Sequence, residues 1–353
     1  MKVTKKSTRS EMVSSILLQR ILDGEWAVEE RLPTVDELNT LMPASRATIH
    51  KGIQSLVEDG YLRSRRGSGV YVQRNTFLRR ILVHVGGGRL DADHLFAMAV
   101  TRKLEEAMMT ADMQTELRLE SNSAQLDDRL AREMAQRRFH GVISVQSNLP
   151  FQWLQRPEHE KVRLPMVHVG VHNACPSVFV DMNEFQRQAL DAIPFGRKIL
   201  YFARSGDEST GDGFVALAAP RGHATHLLTD SELAKFDASE EVGFRALIQA
   251  WKRLDGDFDA VVVPDDVMGK GVAQALLALG QDVPETIQVI VLTNLGVDLF
   301  YPVPITRIEV DTTEVVGRAI NLLENSLEGR ISAAEQPPRV LVKPRMRIAA
   351  IPA

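Results

Sequence analysis

Cysteine is almost missing from this chain. Cys175 is the single one in 353 residues, so neither an intrachain disulfide nor a cysteine zinc site can form. Long apolar runs are missing too, and nothing approaches the roughly 18 uninterrupted apolar residues of a membrane span. Lys2, Lys5, Lys6 and Arg9 open the chain, but no apolar segment or cleavage pattern follows them. The expectation is a soluble cytoplasmic protein with no membrane partner. Catalytic signatures are equally scarce, with no Gly-x-Ser-x-Gly elbow and no His/Asp set around a nucleophile. Gly86-Gly87-Gly88 lacks the Lys-Ser/Thr of a phosphate loop and the spacing of a dinucleotide fingerprint, so it reads as a flexible loop. His168 with His172, and His223 with His226, have no carboxylate at ligand spacing. No metal, no cofactor and no enzymatic activity are expected.

What is present is ordinary in bulk and uneven in distribution. The chain is 44% hydrophobic and 25% charged, which suits a globular protein of two or three domains. Its net charge of −4 hides an asymmetry: residues 1–80 hold 14 Lys and Arg against 9 Asp and Glu, and the remainder 28 against 37. A basic head on an acidic body fits a polyanion partner for the head alone.

The head carries the densest local signals. Thr34 followed by Glu37 reads as a capping box that opens a short helix at Val35, with Val35, Leu38 and Leu41 as its apolar face. Met42-Pro43-Ala44 ends it. Ser45 then caps a second helix reaching about Asp59, with Gly60 placed to terminate it. In that helix Ile49, Ile53, Leu56 and Val57 face inward, while Arg46, His50 and Gln54 fall on another face, flanked by Thr48 and Lys51. An earlier helix should begin near Thr8 to Glu11 and end before Gly24, burying Val13, Ile16, Leu17 and Ile21. Leu62-Arg63-Ser64 and Val70-Tyr71-Val72 read as strands around Arg65-Arg66-Gly67-Ser68-Gly69, a glycine-bearing tip that can reach phosphate or a minor groove. Three helices followed by a hairpin make a winged helix-turn-helix. The expected partner is a double-stranded DNA operator, contacted by Thr34, Ser45, Arg46, Thr48, His50, Lys51, Gln54, Arg65, Arg66 and Gly67.

At these residues the stretch resembles the GntR family of bacterial transcription regulators. The likeness runs over Ile21-Leu22-Asp23-Gly24, Leu32-Pro33-Thr34, Ser45-Arg46-Ala47-Thr48, Leu56 to Leu62 and Arg66 to Val72, about the first 75 residues. It implies major-groove contacts by Arg46 and Thr48 and minor-groove contact by the wing around Gly67. Asp36 stands where the family often has a DNA-contacting arginine, and His50 where a second is common.

Gln73 to Phe77 reads as a short linker, and from Leu78 the pattern changes. Apolar runs at 81–85, 142–145, 166–169, 178–180, 199–202, 261–263 and 289–292 lack polar alternation, as do strands buried on both faces of a parallel sheet. Amphipathic segments at 96–109, 124–137, 183–192, 240–253 and 268–279 lie between many of them. The expected fold class is α/β: an N-terminal winged helix-turn-helix (1–75) plus a two-lobed, doubly wound parallel-sheet domain (78–353). In such a sheet ligands sit beyond the carboxyl ends of the strands. Asp91, Asp93, Ser147, Asp181, Asp265 and Thr293 are therefore the expected effector contacts, with Arg89, Gln146 and Asn294 as neighbouring candidates.

These later segments resemble the effector domain of the LacI/GalR family, itself similar to periplasmic sugar-binding proteins. The likeness lies in Val178-Phe179-Val180-Asp181, Val262 to Gly271, Gly280 to Glu285, Pro304 to Asp311 and the helix ending near Glu328-Gly329. It implies lobe one at about 78–182 and 297–328, lobe two at about 183–296 and 329–353, and a small molecule, such as a carbohydrate, bound between them. The pairing is similar to arabinose-repressor-like regulators and implies a homodimeric repressor. Two departures stand out: no arginine precedes Gly213-Phe214, and Thr293-Asn294 replaces the aspartate common after that strand. The alternative reading is a ligand-binding protein or enzyme whose head serves oligomerisation or partner binding. A further one is a constitutive DNA binder with an inactive cleft.

Overall fold

The computed structural model describes residues 9–22, 25–27, 29–58, 60–73, 79–86, 95–110, 113–120, 126–160, 162–203, 211–229, 239–331 and 336–347. The head consists of α1 (Arg9–Leu22), α2 (Val35–Leu41), α3 (Arg46–Glu58), β1 (Leu62–Arg65) and β2 (Gly69–Val72). Helix α2 opens with the reciprocal capping box: Thr34 Oγ1 accepts from the Glu37 N–H, and the Thr34 N–H donates to Glu37 Oε2 at 2.7 Å. Beyond α3, Gly60 adopts φ +77°, a backbone conformation that glycine tolerates, and its N–H donates to Val57 O.

Leu17, Leu38, Ile49, Leu56 and Leu62 form the fully buried centre of the head. Gly52 lets α1 and α3 approach closely, since a Cβ there would lie 2.8 Å from Val13 Cγ1. Two expected core positions are corrected. Ile16 is 40% exposed, because α3 covers only the Val13–Leu17 stripe of α1; Leu41 is 57% exposed, because Met42, one residue on, fills that space. Residues 29–32 add a further edge to the wing. Glu29 and Leu32 donate to Val72 O and Val70 O at 2.8 Å, and Val72 donates to Glu30 O.

The body runs through β3 (Arg79–Val85), α4 (Leu95–Thr110), β4 (Met113–Leu119), α5 (Asp128–Ala135), β5 (Gly141–Val145), α6 (Leu149–Leu154), β6 (Met166–Val169) and β7 (Ser177–Val180). It continues with α7 (Met182–Asp191), β8 (Lys198–Phe202), α8 (Gly211–Ala218), β9 (Ala224–Leu228), α9 (Ser239–Leu254), β10 (Ala260–Val263) and α10 (Asp266–Ala278). Last come β11 (Gln288–Asn294), β12 (Thr306–Val310), α11 (Thr312–Leu327), β13 (Arg339–Val342) and β14 (Arg345–Arg347). The first sheet has the order β13-β7-β6-β5-β3-β4 and is parallel throughout. The second has the order β14-β12-β11-β10-β8-β9, with only β14 antiparallel. Central strands are buried on both faces, as their uninterrupted apolar runs require.

The chain crosses between the sheets three times, after β7, between β12 and α11, and between β13 and β14. Helix α7 packs Phe185, Ala189 and Leu190 on the second core, while α11 packs Val315, Val316, Ala319 and Leu323 on the first. Strand β12 therefore belongs to the second sheet and β13 to the first, opposite to the lobes expected for 306–310 and 339–342, whereas α11 and β14 lie in the lobes expected for them. The reason is hydrogen bonding: β12 pairs with β11, and β13 with β7. Among the described residues, no helix is long and apolar enough to cross a membrane.

Candidate DNA interface and effector cleft

Helix α3 shows two faces. Ile49, Gly52, Ile53 and Leu56 are buried, whereas Arg46, His50, Lys51 and Gln54 are exposed. Ser45 Oγ accepts from the Thr48 N–H at 3.2 Å and lies 2.8 Å from Thr48 Oγ1, so both hydroxyls are gathered at the helix start. Gln54 donates to Glu58 one turn on. Arg46 Nε meets Asp36 Oδ1 at 2.8 Å, with both side chains about two-thirds exposed, so α2 and α3 share an open ion pair at their N-terminal ends. Thr34 lies on the same side, but its hydroxyl is occupied by Glu37.

The wing separates its two adjacent arginines. Arg65 is held on the flank by Glu29 at 2.6 Å, which also receives Arg63, and its guanidinium lies over the Tyr71 ring. Arg66 is exposed at the tip and has no carboxylate partner among the described residues. Gly67 follows at φ +77° with open space around it. The tip thus presents one arginine, not two.

The head meets the body away from this face. Tyr61 Oη lies 3.2 Å from His140 Nε2, and His140 Nδ1 accepts from the Arg80 N–H at 2.9 Å. Because Nδ1 is an acceptor, the proton sits on Nε2 and is donated to the tyrosine oxygen. Burial, reinforced by Arg79, depresses His140 to a pKa of about 4 and keeps it neutral.

In the body, the carboxyl ends of the strands gather the expected effector residues unevenly. On the second sheet, Asp265 follows β10 and caps α10 through the Met268 N–H at 2.7 Å. Thr293 and Asn294 end the neighbouring β11. Asp266 was not anticipated: it is buried, accepts from Asn294 Nδ2 at 2.7 Å, and its backbone oxygen accepts from the Tyr301 hydroxyl. Burial, then the charge of Asp265, raises its pKa to about 6. The Asp265-Asp266 doublet was the visible signal for it. Thr293 Oγ1 is buried without a hydrogen-bond partner among the described residues, an exception to the rule for buried polar atoms.

On the first sheet Ser147 is buried. Its hydroxyl lies 2.6 Å from His84 Nδ1 and accepts from the Leu149 N–H, so it holds the loop entering α6. Asp181 sits at the first crossing. It caps α7 through the Glu184 N–H, and its own N–H donates to Val342 O at 2.9 Å, tying two of the three crossing segments together. Asp91 and Asp93 lie outside the described residues, as do 204–210 and 230–238 at the ends of β8 and β9.

His84, His140 and His168 are each lowered to a pKa of about 4, in every case mainly by burial. An unfolded imidazole takes up its proton near 6.5, so as the pH drops from about 6.5 to 4 unfolding binds protons and stability is lost. Asp266 acts in the opposite direction between about 6 and its ordinary 3.8, because the native carboxyl holds a proton that the unfolded one releases. Three imidazoles outweigh one carboxyl. The urea midpoint is expected to drop steadily from pH 7 to pH 4.5, which denaturation followed by circular dichroism checks.

Comparison with known proteins defines the class first. Residues 9–72 match the model of the bacterial regulatory proteins of the gntR family, and residues 197–347 match that of the periplasmic binding protein-like domain. The chain joins a gntR-type helix-turn-helix domain to a periplasmic-binding-protein-like one.

Among particular relatives, the uncharacterised HTH-type transcriptional regulator YurK of Bacillus subtilis (strain 168) is 37% identical over 75 residues, 21% of this chain and 31% of that protein. The chain thus spans under a third of that relative. The transcriptional regulator CelR–cellobiose complex superposes with a TM-score of 0.61 at 18% identity, covering 90% of this chain and 99% of that one. A LacI family transcriptional regulator from Arthrobacter sp. FB24 in complex with lactose gives 0.61 at 17% identity, covering 76% and 97%. At these identities the likeness speaks for the fold.

Proposed function

We propose that the chain is a ligand-controlled transcription regulator, a cytoplasmic repressor, in which residues 1–75 bind operator DNA and residues 78–353 bind a small molecule between the lobes. The observation that carries this is the open face of α3. Arg46, His50, Lys51 and Gln54 are all exposed, as is Arg66 at the wing tip, while the head docks on the body through other residues. That face presents charge and hydrogen-bond donors to a major groove, with the capped N-terminus of α3 turned to phosphate.

Two such heads in a homodimer would read the half-sites of a near-palindromic operator. Asp265 and Thr293 on the second sheet, Asp181 at the crossing, and Asp91 and Asp93 after β3 are the proposed effector contacts; a carbohydrate or a chemically related polyol suits paired carboxylates and hydroxyls. Ligand control requires that the effector bind the DNA-competent and incompetent arrangements with different affinity.

A gel-shift titration against genomic fragments across a salt series tests the reading. Arg66→Ala is expected to weaken all sequences alike and to flatten the log–log salt slope by about one. Absence of any shift at low salt overturns the reading.

A further inference from the structure

A second cavity lies where the head meets the body, distinct from the interlobe cleft. Its volume is about 580 Å³, within the range of small-molecule sites. The head contributes Ile21, Trp26, Tyr61 and Gln73, and the first lobe contributes Arg79, Arg137, Phe139 and Arg163. Among the described residues the walls hold three arginines and no carboxylate, in a body that is otherwise net acidic. None of the three arginines has a carboxylate partner among the described residues. Arg137 takes φ +54° just after α5, a position where glycine or asparagine is usual, so its side chain is set there against a backbone cost.

We propose that this junction binds an organic anion with a flat apolar body. Arg79, Arg137 and Arg163 hold its carboxylate or phosphate, and half-buried Ile21, Leu164 and Leu327, with the edges of Trp26 and Tyr61, meet its apolar part. Guanidinium forks match both anions with paired hydrogen bonds, and the apolar lining shields the remainder from water. Such a ligand touches the head and the lobe at once, beside the Tyr61–His140 hydrogen bond. It therefore favours the docked head over any arrangement in which the two separate, and biases DNA binding independently of the cleft.

Calorimetric titration of the full chain with 2-naphthoate, with 1-naphthyl phosphate and with the uncharged 2-naphthalenemethanol tests this. At least one anion is expected to saturate at one per chain and to bind about tenfold more tightly than the alcohol, and the better anion identifies the headgroup. Arg137→Gln and Arg163→Gln are each expected to weaken it about tenfold, whereas Arg129→Gln on the outer face of α5 leaves it unchanged. Arg163 is exposed, so its variant tests the site even if Arg137→Gln fails to fold. The proposal is overturned by equal binding of anion and alcohol, by full affinity in the Arg163→Gln protein, or by no heat up to about 5 mM of either anion. It also falls if duplex DNA competes the anion away in the Arg46→Ala protein, because the arginines would then belong to a phosphate-contacting DNA surface. None of these results depends on whether the chain is a repressor.

Discussion

Arg46→Ala is expected to weaken operator binding by about 1–3 kcal/mol, roughly five- to 150-fold in Kd, and to flatten the preference for operator over unrelated duplex. Arg46 opens α3, is exposed, and stands one turn before His50 and two before Gln54 on the same face. A guanidinium there can take both acceptors of a guanine edge. Because Arg46 pairs with Asp36 alone among the described residues, and an exposed ion pair contributes little, its removal should leave thermal stability within about 0.5 kcal/mol of the parent. Fluorescence anisotropy with a selected operator and a scrambled duplex, beside a thermal melt, separates the two effects. Equal Kd values for parent and variant would show that the base-reading face lies elsewhere.

The second large effect concerns Asp36. Its carboxylate receives Arg46 Nε at 2.8 Å on the face proposed to meet DNA. On approach to DNA it repels the backbone and competes with bases for the arginine, yet it also fixes the direction of the guanidinium fork. Asp36→Asn removes the charge and keeps the shape. Affinity for any duplex should rise about five- to tenfold at low salt, with a log–log slope steeper by about one. The ratio of operator to scrambled binding should fall, because a neutral amide oxygen holds the fork less firmly than the carboxylate does. A parallel rise with an unchanged ratio would assign Asp36 a purely electrostatic part, and a fall in affinity would contradict this geometry.

These two residues also show what could be read without coordinates. The capping box of Thr34 and Glu37, the stop at Met42-Pro43 and the two faces of α3 are local, set by residues within a turn or two of one another, and all stand as expected. The partition of the wing arginines was not local. Glu29 lies 36 residues before Arg65 in sequence, and only the added edge at 29–32 brings it alongside. Ile16 and Leu41 fit the helical period but face water, since period alone does not say how wide a stripe the neighbouring helix covers.

In the body, the strands buried on both faces were legible as apolar runs. The edge strands β4 and β9 were not, because each is only partly buried and polar residues break up its apolar ones. Ser147 occupies an expected place in the fold but serves His84 and α6, a pairing that depends on the β3–β5 register. Asp266 escaped notice beside Asp265, because only burial distinguishes the inward carboxylate from the capping one.

The account rests on the outer face of α3 lying against a duplex. A photo-crosslinking side chain installed at His50, with a second protein carrying it at the exposed Phe300 of the body, tests this most directly. Irradiation with an operator-bearing duplex is expected to yield a DNA adduct from position 50 and none from position 300. No adduct at position 50, or equal yields from both, would contradict it.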